Sequence, residues 1–197
     1  KIHDPHNGIQ HITKKELHLL HEKSIQDDPS RLLRCAKYAS RLGFQIAPKS
    51  LSQSKLTIKN WPWTLSQNNQ VRKFPPGISI RIRMELSEIL KYDDLSKILQ
   101  KLDEWEVISL LNKNIKINKR FIRGLHWSKR LRGKTILYLI KDSESLDLIC
   151  ERFFINSKEK KVLIDFLNIR NFLVENDSKL KKLSPSSWTQ FIEDKNL

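Results

Sequence analysis

Apolar residues along this chain recur mostly three or four positions apart and seldom alternate, which is the period of helices rather than strands. The clearest run joins Leu32, Cys35, Ala36, Ala39 and Leu42 on one face, with Arg31, Arg34, Lys37 and Arg41 nearly opposite. Asp28 at the N-cap and Pro29 at the first helical position start this helix, and Gly43 stops it. From residue 79 on the pattern is helical almost throughout. Ser79 is predicted to cap a helix through Ile82, Leu86, Ile89 and Leu90. Asp93 or Asp94 caps the next, through Leu95, Ile98, Leu99 and Leu102, and Trp105, Val107, Leu110 and Leu111 follow. Ser143 is expected to open a further helix. Asn156 with Glu159 forms a capping box for another, and Ser184-Pro185 starts a last short one carrying Trp188, Phe191 and Ile192.

Two stretches differ. Residues 10–21, from Gln10 to His21, fit a strand or a short helix, and the strand is the preferred reading. Residues 45–77 read as polar and broken, punctuated by Pro48, Pro62, Pro75, Pro76 and Gly77, with Trp61 and Trp63 beside Pro62. The predicted class is all-α: an elongated multi-helix arm with a short strand remnant near the N-terminus. The expected divisions are 1–25, 26–77, 78–141 and 142–197.

Charge narrows the function. Among 197 residues, 37 Lys and Arg stand against 22 Asp and Glu, a net +15, which calls for a polyanionic partner. No apolar run approaches the roughly 20 residues of a membrane span. Basic residues are not gathered on one helix with an exposed apolar face, so an anionic membrane is disfavoured against RNA. Two cysteines, Cys35 and Cys150, cannot build a disulfide framework or a four-sulfur zinc site and read as buried thiols of a reducing cytoplasm. Five Gly leave no phosphate-cradling loop. His3, His6, His11, His18 and His21 are too unevenly spaced for a metal set.

Asp28 and Arg31 are the sharpest chemical feature. One turn apart at a helix start, a carboxylate acceptor and a guanidinium donor can face one ligand. Cytosine and adenine both present an exocyclic amino donor beside a ring-nitrogen acceptor, which this pair matches, while uracil and guanine offer the reverse order. By spacing alone, which is common, a capping Asp with a surface Arg is the favoured explanation of the pair.

The run from Asp27 to Phe44 (Asp-Asp-Pro-Ser-Arg, then Leu-Leu-Arg-Cys-Ala-Lys, then Arg-Leu-Gly-Phe) resembles the neck signature of the bacterial tRNA nucleotidyltransferase and poly(A) polymerase family of class II. Asp4-Pro5-His6-Asn7-Gly8-Ile9-Gln10-His11-Ile12 is similar to the end of that family's catalytic head, where Asp-x-x-Gly-Gly-x-x-Asp-Leu is usual. Ser79-Ile80-Arg81-Ile82-Arg83-Met84-Glu85-Leu86 is similar to its Ser-x-Glu-Arg-Ile-x-x-Glu-Leu. Asn7, His11 and Ile80 depart from those patterns. The resemblance implies that Asp28 and Arg31 are the template for incoming CTP or ATP, with Arg34 contacting the nucleotide or supporting the template. It implies a parent that adds CMP or AMP to RNA 3′ ends with Mg²⁺. The metal-binding carboxylates of that parent belong to a head preceding Lys1, so this part alone is expected to hold no cofactor and to be inactive. Residues 1–25 are then a remnant of the head, 26–77 the neck, 78–141 the body and 142–197 the tail. CCA, A-only, CC-only and poly(A) addition all stay open.

Residues 107–141 contain ten Lys or Arg and no acid. Lys116, Lys119, Arg120, Arg123, Lys129, Arg130, Arg132 and Lys134 are the expected RNA-binding residues, with the tRNA acceptor arm and 3′ end as the expected ligand. Phe121 and Trp127, interleaved with them, read first as core residues. The alternative function is a degenerate, non-catalytic RNA-binding adaptor that kept the helical arm.

Overall fold

The computed structural model describes residues 3–61, 76–92, 94–130, 135–140 and 146–193. Trp63, Asp93, Lys141 and Ser143 lie outside the described residues, as do the side chains of Phe191 and Ile192. Two compact units are present, residues 1–154 and 155–197. The order is α1 (Gly8–Thr13), β1 (Glu16–Leu17), α2 (Ser24–Asp27), α3 (Ser30–Leu42), β2 (Gln45–Ile46), α4 (Pro48–Lys59), α5 (Pro76–Ile89) and α6 (Leu95–Glu104). A 3-10 turn (Ile108–Leu110), α7 (Lys119–Arg130), α8 (Thr135–Ile140), α9 (Leu146–Arg152), α10 (Ser157–Glu175), α11 (Asp177–Leu180) and α12 (Pro185–Glu193) follow. The fold is mostly α, and among the described residues no helix is long and apolar enough to cross a membrane.

At the N-terminus the strand expectation needs correction. Gln10–Thr13 is helical, because the Asp4 carboxylate takes the first free N–H groups of α1, Gly8 at 2.7 Å and Ile9 at 2.9 Å. Those two bonds hold the Asp4 carboxyl below its ordinary range. Asn7, in the place of the family's first glycine, adopts φ 55°, a left-handed backbone that Asn tolerates better than most residues. The strand itself is only Glu16–Leu17, paired in parallel with Gln45–Ile46.

α3 is the centre of the first unit and packs against both α5 and α6. Leu32, Leu33, Ala36 and Ala39 from α3, Ile82, Leu86 and Ile89 from α5, and Ile98, Leu99 and Leu102 from α6 are all within 1% of complete burial. Each buried Leu or Ile contributes about 1.5–3 kcal/mol, so this apolar seam holds the unit together. Cover from two helices widens the buried arc of α3 to include Leu33, which the single-face reading left out. Leu42, placed on that face by periodicity, is 47% exposed, since the chain turns away at Gly43 (φ 69°) immediately after it. Burial pushes the Cys35 thiol up to about 11.

Residues 48–59 are helical rather than broken. Pro48 sits in the first turn of α4, where its missing N–H costs nothing. The positions α4 buries are Ser50, Ser54 and Ile58, with Ser54 Oγ returning a bond to the Ser50 carbonyl at 2.7 Å. α4 is followed by Trp61, fully buried, its indole N–H donating to the Leu110 carbonyl at 3.3 Å. α5 likewise begins at Pro76, so Ser79 lies inside the helix and is no cap. Its buried hydroxyl has no hydrogen-bond partner among the described residues. Asp94 precedes α6, but its carboxylate caps no N–H and instead accepts from Lys97 Nζ at 2.9 Å. Trp105, Val107, Leu110 and Leu111 are buried as the pattern predicts.

In the second unit the Asn156–Glu159 capping box is present. Asn156 accepts the Glu159 N–H at 2.9 Å, and Glu159 accepts the Asn156 N–H at 3.4 Å. α12 starts at Pro185, and Trp188 donates its indole N–H to the Leu180 carbonyl at 3.0 Å.

Candidate nucleotide and nucleic-acid sites

Pro29 disfavours helical backbone at the residue before it, and Asp28 is extended (φ −153°, ψ 92°), which separates α2 from α3. The helix therefore starts at Ser30, with Pro29 already in right-handed conformation. Asp28 Oδ1 accepts the Ser30 N–H at 3.1 Å and the Ser30 hydroxyl at 2.6 Å. Its Oδ2 accepts Arg81 Nη1, from α5, at 3.3 Å. A carboxylate offers about four lone-pair positions, so one on Oδ2 is left over. The residue is buried, and its orientation is fixed from two elements.

Arg31, Arg34 and Lys37 continue the ladder at three-residue steps along α3. Arg31 Nη1 donates to the Ser24 carbonyl of α2 at 3.2 Å, and among the described residues most of its guanidinium donors are unused. Arg34 directs Nε (2.9 Å) and Nη2 onto Glu85 Oε1, from α5, and that bond raises the Arg34 pKa. Lys37 Nζ lies 3.5 Å from Glu85 Oε2. Arg81 and Glu85, one turn apart on α5, thus answer Asp28 and the Arg34–Lys37 pair on α3. The structure keeps Asp28 and Arg31 at one helix start and turns Arg34 towards Glu85.

Arg81 and Glu85, part of the Ser79–Leu86 motif, join the site only through the fold. Their signal is two opposite charges one turn apart on a helix whose other spaced positions are apolar.

A second cluster lies on α7, where only Leu125 is fully buried. Lys119, Arg120, Arg123 and Arg130 are exposed, as is Lys116 just before the helix. Among the described residues none of these five has a carboxylate within ion-pair distance. Lys129 instead spends its ammonium on the Tyr92 carbonyl at 2.9 Å. Arg132 and Lys134 lie outside the described residues. A groove of about 640 Å³ runs beside the helix, lined by Gln100, Ile117, Asn118, Lys119, Ile122, Arg123 and His126.

The aromatic residues divide. Phe121 is half-buried with its ring centroid 5.5 Å from that of Tyr138. Trp127, expected in the core, is 47% exposed and has the Arg130 guanidinium 5.2 Å from its ring centre. It lies off the Leu125 side of α7, so its place on the helix overrides the burial that its residue type suggests. The α7–α8 contact is close: a Cβ on Gly124 would stand 2.1 Å from the Tyr138 hydroxyl.

Of the histidines, His11 stacks on His18 with ring centres 3.6 Å apart, and His18 meets Glu16 at 3.0 Å. Among the described residues no group of three or more His, Cys, Asp or Glu could hold a metal ion.

No family model matches the chain. A CC-adding tRNA nucleotidyltransferase of Deinococcus radiodurans is 41% identical over 46 residues, 23% of this chain and 12% of that protein. A CCA-adding enzyme of Actinobacillus succinogenes is 38% identical over 58 residues, 28% of this chain and 14% of that protein. A CCA-adding enzyme solved with ATP superposes over 96% of this chain and 44% of its own, at TM-score 0.64 and 20% identity. A tRNA nucleotidyltransferase solved with a primer tRNA and an incoming ATP analogue superposes over 97% of this chain and 56% of its own, at TM-score 0.58 and 17% identity. The chain thus spans about half the length of these structures and much less of the two sequence relatives. It is related to the class II tRNA nucleotidyltransferases and has the fold of the part of them that it spans.

Proposed function

We propose that this chain is the nucleotide-selecting and RNA-holding part of an enzyme that transfers CMP or AMP to RNA 3′ ends, with the tRNA end as substrate. The observation that carries this reading is the Asp28 carboxylate, fixed by Ser30 and Arg81 beside the donor-rich Arg31, on a fold shared with a CCA-adding enzyme solved with ATP. The remaining lone pair of Asp28 accepts the exocyclic amino group of cytosine or adenine, and Arg31 donates to the adjacent ring nitrogen. Uracil and guanine put a carbonyl against the carboxylate and an N–H against the guanidinium. Leaving such groups unmatched costs about 1–3 kcal/mol each, enough for selection of ten-fold or more. Arg34 stands one turn further on, where its bond to Glu85 steadies the helix that carries the template.

Mg²⁺, where bound in such enzymes, supplies Lewis-acid stabilisation of the transferring phosphoryl group. Among the described residues no group of three or more His, Cys, Asp or Glu could hold it, and no step is assigned to the ion here. The cationic side chains Lys116, Lys119, Arg120, Arg123 and Arg130, with Arg132 and Lys134, hold RNA phosphates. A cytoplasmic setting goes with that role.

A second reading, an RNA-binding adaptor without catalysis, is favoured by His11, whose ring stacks on His18 at the position where the motif it resembles has Asp. One experiment tests the template. With this chain joined to a catalytic head, Asp28→Ala is expected to relax preference for CTP and ATP over UTP and GTP. Unchanged selectivity removes Asp28 from the role, and absence of any transfer by the unsubstituted protein favours the adaptor.

A further inference from the structure

We infer that α7 holds an unpaired nucleotide of RNA, its base stacked on the Trp127 indole and its backbone on the row formed by Lys119, Arg123 and Arg130. This rests on the RNA reading of the same helix and adds the kind of RNA feature recognised. At 100° per residue, Lys119, Arg123, His126 and Arg130 (i, i+4, i+7, i+11) fall in one narrow stripe. Trp127 flanks the stripe on one side and Ile122 on the other. Lys119 and Arg123 stand about 6 Å apart along the axis, and Arg130 about 10 Å further on.

Cations alone would suffice for a paired helix, whose bases are hidden and whose phosphates are read by charge. An exposed indole adds nothing for a phosphate. The other described tryptophans are better covered: Trp61 and Trp105 are 2% and 4% exposed, and Trp188 is half-buried. Trp127 is 47% exposed within the acid-free stretch. Its ring is held by the Arg130 guanidinium at 5.2 Å and meets His126 edge-on at 6.4 Å. A preset aromatic plane beside uncompensated cations is the arrangement that receives a splayed base together with its phosphates.

The test uses the whole chain and two RNA hairpins of equal length, one fully paired and one carrying a single bulged adenosine. Fluorescence anisotropy is read at two salt concentrations. The bulged hairpin is expected to bind on the order of ten-fold more tightly, with quenching of tryptophan emission. Trp127→Ala is expected to abolish the preference and the quenching while the salt slope is retained, and Trp127→Phe to keep part of both. Equal affinity for the two hairpins, or a preference that survives Trp127→Ala, overturns the stacking inference and leaves the RNA reading standing. Absence of binding to either, with the helical circular dichroism intact, overturns both. Reversal of Lys119, Arg120 and Arg123 to Glu reports on the RNA reading separately, since it should weaken both complexes and flatten both slopes.

Discussion

Replacing Glu85 by Gln removes one negative charge from the joint between α3 and α5 while preserving its shape. The carboxylate takes two bonds from Arg34 and one from Lys37, and the three side chains differ in exposure. Arg34 is 52% exposed, so water and salt screen its share to about 0.5 kcal/mol. Lys37 is only 13% exposed and Glu85 14%, and an ammonium left there without its counter-charge costs about 1.5–3 kcal/mol. Their 3.5 Å separation, the outer limit of a hydrogen bond, favours the lower end. Together the loss is about 2 kcal/mol. Urea denaturation followed by far-ultraviolet circular dichroism should show that loss as a lower midpoint with the slope unchanged. A double-mutant cycle with Lys37→Met isolates the less exposed pair, with an expected coupling of about 1–2 kcal/mol that persists in high salt. Coupling below about 0.5 kcal/mol would refute the claim that this joint, beyond apolar packing, holds the two helices in register.

Gly124→Ala sets helix propensity, a gain of about 1 kcal/mol, against displacement of Tyr138, whose hydroxyl and Cζ would stand 2.1 and 2.7 Å from the new Cβ. Tyr138 would lose its 3.2 Å bond to the Phe121 carbonyl and repack at about 1–3 kcal/mol, so a net destabilisation of up to about 2 kcal/mol is expected in thermal melts, and stabilisation would contradict the close approach. Asp4 supplies the pH prediction. Its folded-state pKa is lowered by the Ile9 and Gly8 amides, so its contribution to α1 is present above the ordinary carboxylate value and lost as pH falls through the depressed one. The Gly8 and Ile9 amide proton shifts should titrate together with a midpoint below 3.8, and a midpoint at or above that value removes the cap.

Much of the first unit is legible residue by residue. The Asp-Pro step, the apolar seam through Leu32, Ala36 and Ala39 and the stop at Gly43 are local chemistry, and local chemistry is what a sequence displays. α4 was hidden because its inward positions include Ser50 and Ser54, small polar residues that pack well yet break the hydrophobic period. Pro48 and Pro76 read as punctuation, although at a helix start the same ring is an asset. The tie between Arg34 and Glu85 joins residues 51 positions apart, and the charge pair on α5 does not by itself name its partners on α3. Trp127 illustrates the converse: its residue type argues for burial, and only the geometry of the α7 faces puts it in water.

The far end of α3 is tied as firmly as the near one. Past Gly43 the Phe44 N–H returns to the Ala39 carbonyl, and Gln45–Ile46 pairs with Glu16–Leu17, closing a loop around α2 and α3. A helix enclosed by two neighbours and pinned at both ends does not open alone, so its amides should exchange with solvent only when the whole unit unfolds. Residues mounted on such a helix meet a ligand in a geometry settled before it arrives. Any discrimination made at its start is then a comparison with a fixed shape, independent of how long the ligand stays.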